Sequence, residues 1–276
     1  MTVILPFFAL LSLVLLAPTT MAADPWADRV VEYTPGTGIP QVFGSDPPLF
    51  YDLDTASLGE PARTSGGAVV SPYSSPFARE DIVSIGEGGS LTVAFDEPVE
   101  DAPGNPFGID LLVFGNAFYT LSGGWPFADD ATVTGASIEG GVVELSDDGV
   151  SWVEVTGLDA DGLYPTNGYA DASGFFPAAP GGVLSDFTLP VDPSYNPIGD
   201  TSAEVYAAYA GSGGGAGIDV GAYGLDSVSY VRVTNPIGSG AVPEIDAFAD
   251  VRSVPEPTAL ALLAIGSLAA IRRGQR

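Results

Sequence analysis

Glycine and proline interrupt the apolar segments of this sequence throughout, with 36 glycines and 24 prolines among 276 residues. Proline breaks helices, and glycine adopts turn conformations that other residues avoid. The chain is therefore too rich in turn formers for a helical bundle, and short strands joined by turns are favoured. At 46% hydrophobic residues, it is also too apolar for intrinsic disorder. Residues 24–253 suffice for one large all-β domain.

Periodic apolar residues mark several of these strands. In residues 89–99, Leu91, Val93 and Phe95 alternate with polar or small residues, which is the period of a half-buried strand. Residues 109–118 are an almost continuous apolar run, which predicts a central strand buried on both faces. The remaining predicted elements are strands at 183–190, 228–236 and 245–252, and a short helix at Ala203–Ala210.

A hairpin is predicted between residues 140 and 156. The segments GVVELS and SWVEVT flank Asp147, Asp148, Gly149 and Val150. Asp-Gly between two alternating segments favours a turn that joins antiparallel strands. Trp152, at the start of the second segment, is interpreted as a core aromatic residue.

Three residue types are missing from the chain: histidine, cysteine and lysine. Their absence excludes Ser-His-Asp triads, thiol nucleophiles, Schiff-base lysines and lysine-bearing phosphate loops. Metal sites built on imidazole or thiolate ligands are excluded as well. Only carboxylate, hydroxyl, amide and aromatic chemistry is left, and we expect a protein that is not an enzyme.

The formal net charge of −27 narrows the range of partners. A surface this acidic repels phosphate backbones and anionic lipid headgroups, which argues against nucleic-acid partners and against adsorption to a membrane surface. Neutral sugars and divalent cations remain compatible with it.

The N-terminus has the pattern of an export signal. Residues 3–18 are uncharged and apolar, small residues follow, and Asp24 is the first acid. This pattern predicts a secretory signal peptide over residues 1–23, read by the Sec machinery. The segment before the apolar run has no arginine, so a retained N-terminal anchor is the alternative.

The C-terminus combines three features in order. Val254, Pro255, Glu256 and Pro257 precede an apolar segment at 258–271, and an arginine-rich tail follows with Arg272, Arg273 and Arg276. As a helix, fourteen residues rise about 21 Å, short of a ~30 Å hydrocarbon core. The segment therefore predicts a short helix that is in the inner membrane only transiently, with the arginines on the cytoplasmic side.

Residues 254–276 resemble a PEP-CTERM sorting signal, which has the same motif, short apolar helix and arginine-rich tail. The resemblance implies export in a Gram-negative bacterium that makes extracellular polysaccharide. It also implies cleavage near Glu256 by an exosortase, followed by residence at the cell surface or in the extracellular matrix. An ordinary tail anchor is the alternative interpretation.

Five phrases of the middle segment occur in a recognisable order: GGSLTVAFDEPV, GIDLLVFGNAF, VELSDDGVSWVEV, GAGIDVGAYGLDSVSYVRVTNP and PEIDAFADVR. They resemble bacterial surface domains of the galactose-binding-like, or discoidin-type, jelly-roll family. The resemblance implies an antiparallel β-sandwich of about eight strands. Its last strand returns beside the first, and loops at one end meet ligands.

Candidate ligand-binding aromatics lie after the predicted central strand. Trp125 is in a loop next to glycine and proline, where a flat ring can face a sugar, and Tyr119 and Phe127 flank it. A ring that only plugs its own loop is the alternative for all three.

Asp159 and Asp161 have the spacing that begins a calcium-binding loop, followed by Gly162. The closing glutamate of such a loop is missing, so a solvated turn is the alternative. The charge of the chain still makes Ca²⁺ the cofactor that we expect, if any is bound.

Glu244 and Asp246 form a carboxylate pair of the kind that glycoside hydrolysis uses, and on a strand both would face the same side. Such pairs are also common on strand surfaces.

From the export signals, the predicted sandwich and the candidate aromatics together, we expect a non-catalytic carbohydrate-binding or adhesion module that associates with extracellular polysaccharide. A purely structural acidic matrix protein and a carboxylate-based glycoside hydrolase are the alternatives.

Overall fold

The computed structural model describes residues 24–252. The predicted signal peptide at 1–23 and the predicted sorting segment at 254–276, each with its predicted helix, lie outside the described residues. Within the described part, no helix has the length and apolar character that a membrane crossing requires.

The described chain consists mainly of short strands, with one α-helix, α1 (Ser202–Tyr209), and three turns of 3-10 helix at Asp54–Ser57, Pro106–Gly108 and Gly221–Tyr223. In chain order the strands are β1 (Arg29–Thr34), β2 (Thr64–Ser65), β3 (Ala68–Val69), β4 (Val83–Ser84), β5 (Ser90–Glu100), β6 (Leu111–Gly115), β7 (Phe118–Leu121), β8 (Val133–Ser137), β9 (Val142–Ser146), β10 (Val153–Glu154), β11 (Ala216–Ile218), β12 (Ser227–Thr234) and β13 (Glu244–Asp250).

Two antiparallel sheets organise the domain. One has five strands in the order β1-β5-β12-β9-β10, and the other has four in the order β11-β6-β13-β4. Two hairpins, β2-β3 and β7-β8, form separate two-stranded sheets. The predicted all-β antiparallel class is confirmed, whereas the jelly-roll type stays a prediction.

A central core joins the two sheets. It contains Leu91 and Val93 of β5, Val231 of β12, Val113 of β6 and Phe248 of β13, all fully buried. Fully burying such a side chain contributes about 1.5–3 kcal/mol, so residues from both sheets in one cluster hold the sheets face to face. Leu91, Val93 and Phe95 enter this core as the alternation predicts, but the half-buried strand is wrong, because Thr92 and Ala94 on its other face are also buried.

The central strand predicted at 109–118 is confirmed over Leu111–Gly115 as β6, which lies between β11 and β13, whereas Phe118 belongs to the separate β7-β8 hairpin. Leu111 enters the central core, whereas Leu112 and Phe114 pack on the other face of the sheet against Phe187. Burial on both faces is the reason that the sequence shows a continuous apolar run there instead of alternation.

The predicted hairpin is also confirmed, because Val153 pairs with Leu145 and Glu154 with Glu144. Gly149 in its turn has φ +71°, a conformation that favours glycine. The interpretation of Trp152 as a core residue is wrong. The ring is half-buried under the guanidinium of Arg232, whose Cζ lies 4.0 Å from the ring centroid. Alternation along the extended segment that places Val155 in the core turns Trp152 to the other face.

A third group of buried residues, the tyrosine cluster, includes Tyr73, Tyr119, Phe175, Val205 and Tyr209. It lies between the β7-β8 hairpin and α1. The short helix predicted at Ala203–Ala210 is confirmed as α1, one residue earlier. Glu204 accepts a hydrogen bond from the Thr201 N–H at 2.8 Å, which satisfies a backbone donor where the helix begins.

The strand predicted at 183–190 is wrong, because this segment makes only isolated bridges at Leu184 and Asp186. The Asp186 carboxylate accepts the Thr188 N–H at 2.8 Å, and this local bond replaces a sheet partner. The turn directs Phe187 onto Phe114, with ring centroids 5.4 Å apart.

The two ends of the described chain lie side by side. The Asp250 N–H donates to Pro25 O at 2.7 Å, and Trp26 forms an antiparallel bridge with Ala249. The last strand therefore returns beside the segment that precedes β1, whereas β1 itself pairs with β5.

Candidate functional site

An exposed aromatic surface lies on the connection between β7 and β8. Trp125 is 76% exposed, and its ring centroid is 5.9 Å from that of Phe127 and 5.6 Å from that of Phe176. Both contacts are edge-to-face, a favourable geometry for aromatic rings. We call Trp125, Phe127 and Phe176 the aromatic platform.

The platform is attached to the interior of the domain. Phe127 is half-buried, lies nearly parallel to Phe176 and contacts buried Phe175, with centroids 6.3 Å apart in both cases. Phe175 belongs to the tyrosine cluster. Trp125 therefore presents its ring to solvent from a supported position, which differs from the alternative of a loop plug.

Tyr119 is not part of this surface, and the prediction that it contacts ligand is corrected. Its side chain is 2% exposed in the tyrosine cluster, where its hydroxyl accepts a hydrogen bond from the Tyr209 hydroxyl at 3.4 Å. Burial raises the pKa of the Tyr119 phenol well above its usual range. The reason is strand alternation in β7, which turns Tyr119 inward and its neighbours outward.

Phe176, in contrast, was not predicted. It joins the platform through a contact between two loops that are distant in sequence. No periodic pattern signals such a contact, and the local sequence offers only two adjacent aromatic residues, Phe175 and Phe176.

The two aspartates of the predicted calcium loop have different environments. Asp161 is fully buried and accepts hydrogen bonds from the Ala117 N–H at 2.8 Å and the Glu244 N–H at 3.2 Å, whereas Asp159 is exposed. Burial raises the pKa of Asp161 well above its usual range, and Glu139 raises it further. Asp161 serves as an internal hydrogen-bond acceptor, so the geometry gives the predicted pair no support as metal ligands.

Another acidic group is better arranged for a cation. Among the described residues, carboxylate oxygens of Asp101, Asp110 and Asp219 lie within 4.8 Å of one another. Asp110 is buried and already accepts hydrogen bonds from the Asn105 side chain at 2.9 Å and the Val220 N–H at 3.0 Å. These residues come from separate loops, so local sequence spacing could not identify them.

Glu244 lies at a cleft of about 480 Å³ beside β13, which we call the Glu244 cleft. It is lined by Gly38, Pro40, Tyr51, Phe77, Ile82, Glu139, Gly240, Ala241, Val242 and Glu244. The Ser84 hydroxyl donates to the Glu244 carboxylate at 2.8 Å, and the Asn116 amide donates to its other oxygen.

The protonation of Glu244 is perturbed by this environment. Burial raises the pKa of Glu244 to about 7, the Ser84 and Asn116 hydrogen bonds oppose the shift, and the Glu139 charge adds to it. Burial also raises the pKa of Glu139. Both carboxyl groups therefore resist ionisation while they lack a positive neighbour.

Asp246 does not accompany Glu244 in the cleft. It is 3% exposed, and its carboxylate accepts the Ala62 N–H at 3.0 Å. The chain segment at Ala62 covers it, and the register of β13 against β6 shifts between Ile245 and Ala247. The arrangement of Glu244 and Asp246 toward one substrate, which the hydrolase alternative requires, therefore has no support in this geometry.

A further cleft, of about 690 Å³, includes Trp26, Arg63, Phe187 and Arg252 in its lining. Arg63 is occupied there: it pairs with Glu60, donates to Gly168 O at 2.6 Å and lies 4.2 Å over the Phe187 ring. These contacts give Arg63 a structural role in covering the sheet.

The comparisons with known proteins concern the C-terminus. Residues 253–276 match the PEP-CTERM protein-sorting motif, so the prediction of this motif is confirmed. The motif marks an exported, membrane-transiting protein that an exosortase processes. A comparison with curated proteins gives no match. The match indicates that the chain is exported and processed. It says nothing about the activity of the β domain, which has to be argued from the surface of that domain.

Proposed function

We propose that this exported, exosortase-processed protein is a non-catalytic carbohydrate-binding module. It works at the cell surface or in the extracellular polysaccharide matrix of a Gram-negative bacterium, with polysaccharide as its ligand. The observation that carries the proposal is the exposure of Trp125 on the supported aromatic platform.

The chemistry of the platform suits a sugar. A pyranose ring has an apolar face of C–H groups, which can cover an aromatic ring, and hydroxyl groups at its edge. Asp129 and Asp130 are exposed in the same loop as Trp125 and could accept hydrogen bonds from those hydroxyls. The net charge of −27 disfavours phosphate-bearing ligands and leaves a neutral glycan as the better partner.

A glycan array tests the proposal, with the polysaccharide of the producing bacterium among the probes. We expect binding by residues 24–253, loss of binding in Trp125→Ala, and unchanged binding in Phe43→Ala. Phe43 is a matched control because it is fully exposed in a different loop. No binding to any glycan would leave the purely structural acidic matrix protein as the better account.

Calcium assistance is part of the proposal, since oxygen ligands and negative charge suit Ca²⁺. The array is therefore run with calcium and with a chelator. The hydrolase alternative was based on Glu244 and Asp246 facing one substrate, and buried Asp246 gives that pair no support.

A further inference from the structure

The Glu244 cleft is a second concave site, formed by residues other than those of the aromatic platform. Its volume of about 480 Å³ is in the range of small-molecule sites, about 300–1,000 Å³. Tyr51, Phe77 and Ile82 give it apolar walls, whereas Glu139 and Glu244 give it two carboxyl groups.

These two carboxyl groups lack a cationic partner in the described structure. No arginine lines the cleft, and the whole chain contains no lysine or histidine. Glu244 is only 8% exposed, and its hydrogen bonds come from neutral groups. Glu139 is half-buried, and burial alone raises the pKa of its carboxyl group, with no hydrogen bond from the described residues to oppose the shift. Partly buried carboxylates without positive charge nearby are costly, and a cationic ligand would offset that cost.

The arginines of the described chain are committed elsewhere. Ion pairs join Arg29 to Asp96, Arg63 to Glu60, Arg79 to Asp52 and Arg232 to Glu144. Arg252 lines the other cleft, and its charge partly opposes the rise that burial causes in the pKa of Asp250. A positive charge in the Glu244 cleft therefore has to come with the ligand.

The walls favour an organic cation over a metal ion. The Tyr51 hydroxyl donates to Phe77 O at 2.9 Å, and Tyr51 O accepts the Ser84 N–H at 2.8 Å, so Tyr51 is held on both sides. Phe77 is 48% exposed and presents ring surface to a ligand. Aromatic rings attract ammonium groups, whereas a bare divalent ion needs several converging oxygens. Among the described residues, the group of three converging carboxylates lies elsewhere, at Asp101, Asp110 and Asp219.

We infer that the Glu244 cleft binds a primary ammonium group carried on a sugar ring, as in a polysaccharide residue with a free amine. The ammonium lies between Glu139 and Glu244, and the sugar ring packs on Tyr51 and Phe77. The assignment of the amine to a sugar rests on the proposed carbohydrate-binding function.

Calorimetric titration tests this site with two matched probes, the β-1,4-linked glucosamine disaccharide and its fully N-acetylated counterpart. The Trp125→Ala variant is used so that the aromatic platform contributes nothing. At pH 7.5 and 150 mM salt, we expect the free-amine disaccharide to bind at least tenfold more tightly. Equal affinity for the two probes, or no binding of the amine, overturns the inference.

Substitutions locate the bound amine. We expect Glu139→Gln, Glu244→Gln and Phe77→Ala, each in the Trp125→Ala background, to weaken binding of the free-amine disaccharide at least tenfold. Glu97→Gln removes the same charge from an exposed position on β5 and should leave binding unchanged. If buried Glu244→Gln does not fold, Glu139→Gln and Phe77→Ala decide the result. An equal loss of affinity in Glu97→Gln would indicate general attraction of the amine to an acidic surface and would overturn the assignment of the amine to this cleft.

Two further results separate this inference from the proposed function. Neutral-glycan binding that depends on Trp125, together with no amine binding, overturns only the inference. Binding of a lysine derivative as tight as that of the glucosamine disaccharide overturns the assignment of the amine to a sugar.

Discussion

The ring of Trp125 meets the ring of Phe176 edge-to-face at 5.6 Å, although the two residues belong to different loops. This contact fixes an exposed tryptophan in place, so that less conformational entropy is lost when a ligand covers it. The same contact connects the exposed ring, through the stacked Phe127, to the buried tyrosine cluster.

Phe176→Ala should therefore weaken glycan binding even though Trp125 remains present. One edge-to-face aromatic pair contributes about 0.5–1.5 kcal/mol, which corresponds to a loss of about fivefold in affinity. Titration of the variant with the best glycan from the array measures the change. The melting temperature should stay nearly constant, because Phe176 is 47% exposed. An unchanged affinity would show that the contact does not position Trp125.

The stability of the domain should fall as the pH rises from 5 to 8. Burial raises the pKa of Glu244 from 4.5 to about 7 and that of Asp250 from 3.8 to about 6, and it also raises those of Asp161 and Asp246. Because the folded state holds these protons more tightly than the unfolded state, their stabilisation is complete below the unfolded pKa values. This stabilisation is lost as the pH rises through the pKa values that the same groups have in the folded state.

Thermal melts between pH 4.5 and pH 8 measure this dependence. In Glu244→Gln, the decrease in the free energy of unfolding between pH 4.5 and pH 7 should be smaller than in the wild type, by on the order of 3 kcal/mol. Glu97→Gln, at an exposed position, should leave the profile unchanged. A melting temperature that rises from pH 5 to pH 8 would contradict the assignment of these buried acids.

Processing at both ends should leave the described fold intact. The Asp250 N–H bonds to Pro25 O, so the pairing of the two chain ends lies inside both expected cleavage points. Mass spectrometry of the exported protein should find an N-terminus near Asp24 and a C-terminus near Glu256. An intact Arg276 on the mature protein would contradict exosortase processing.

The sequence was sufficient for features that depend on local pattern. A strand buried on both faces needs apolar residues at every position, as Leu111 and Leu112 illustrate. The hairpin at Gly149 and the helix at Ser202–Tyr209 likewise follow from turn and capping residues that are adjacent in the chain.

Features that depend on contacts between distant segments could not be predicted in this way. Phe176 reaches Trp125 only through loop packing, and Glu139 joins Glu244 only because a loop returns to β13. Tyr119 illustrates a different error: its neighbourhood in sequence suggested a surface, whereas the alternation of β7 places it in the tyrosine cluster.

The most direct test of carbohydrate binding is calorimetric titration of the domain and of Trp125→Ala with the best glycan from the array. Covering roughly 100 Å² of the exposed indole is worth about 2.5 kcal/mol, so the variant should bind about 70-fold more weakly. Phe43→Ala should bind as the wild type does. Equal affinity of the wild type and Trp125→Ala for the glycan would contradict the account.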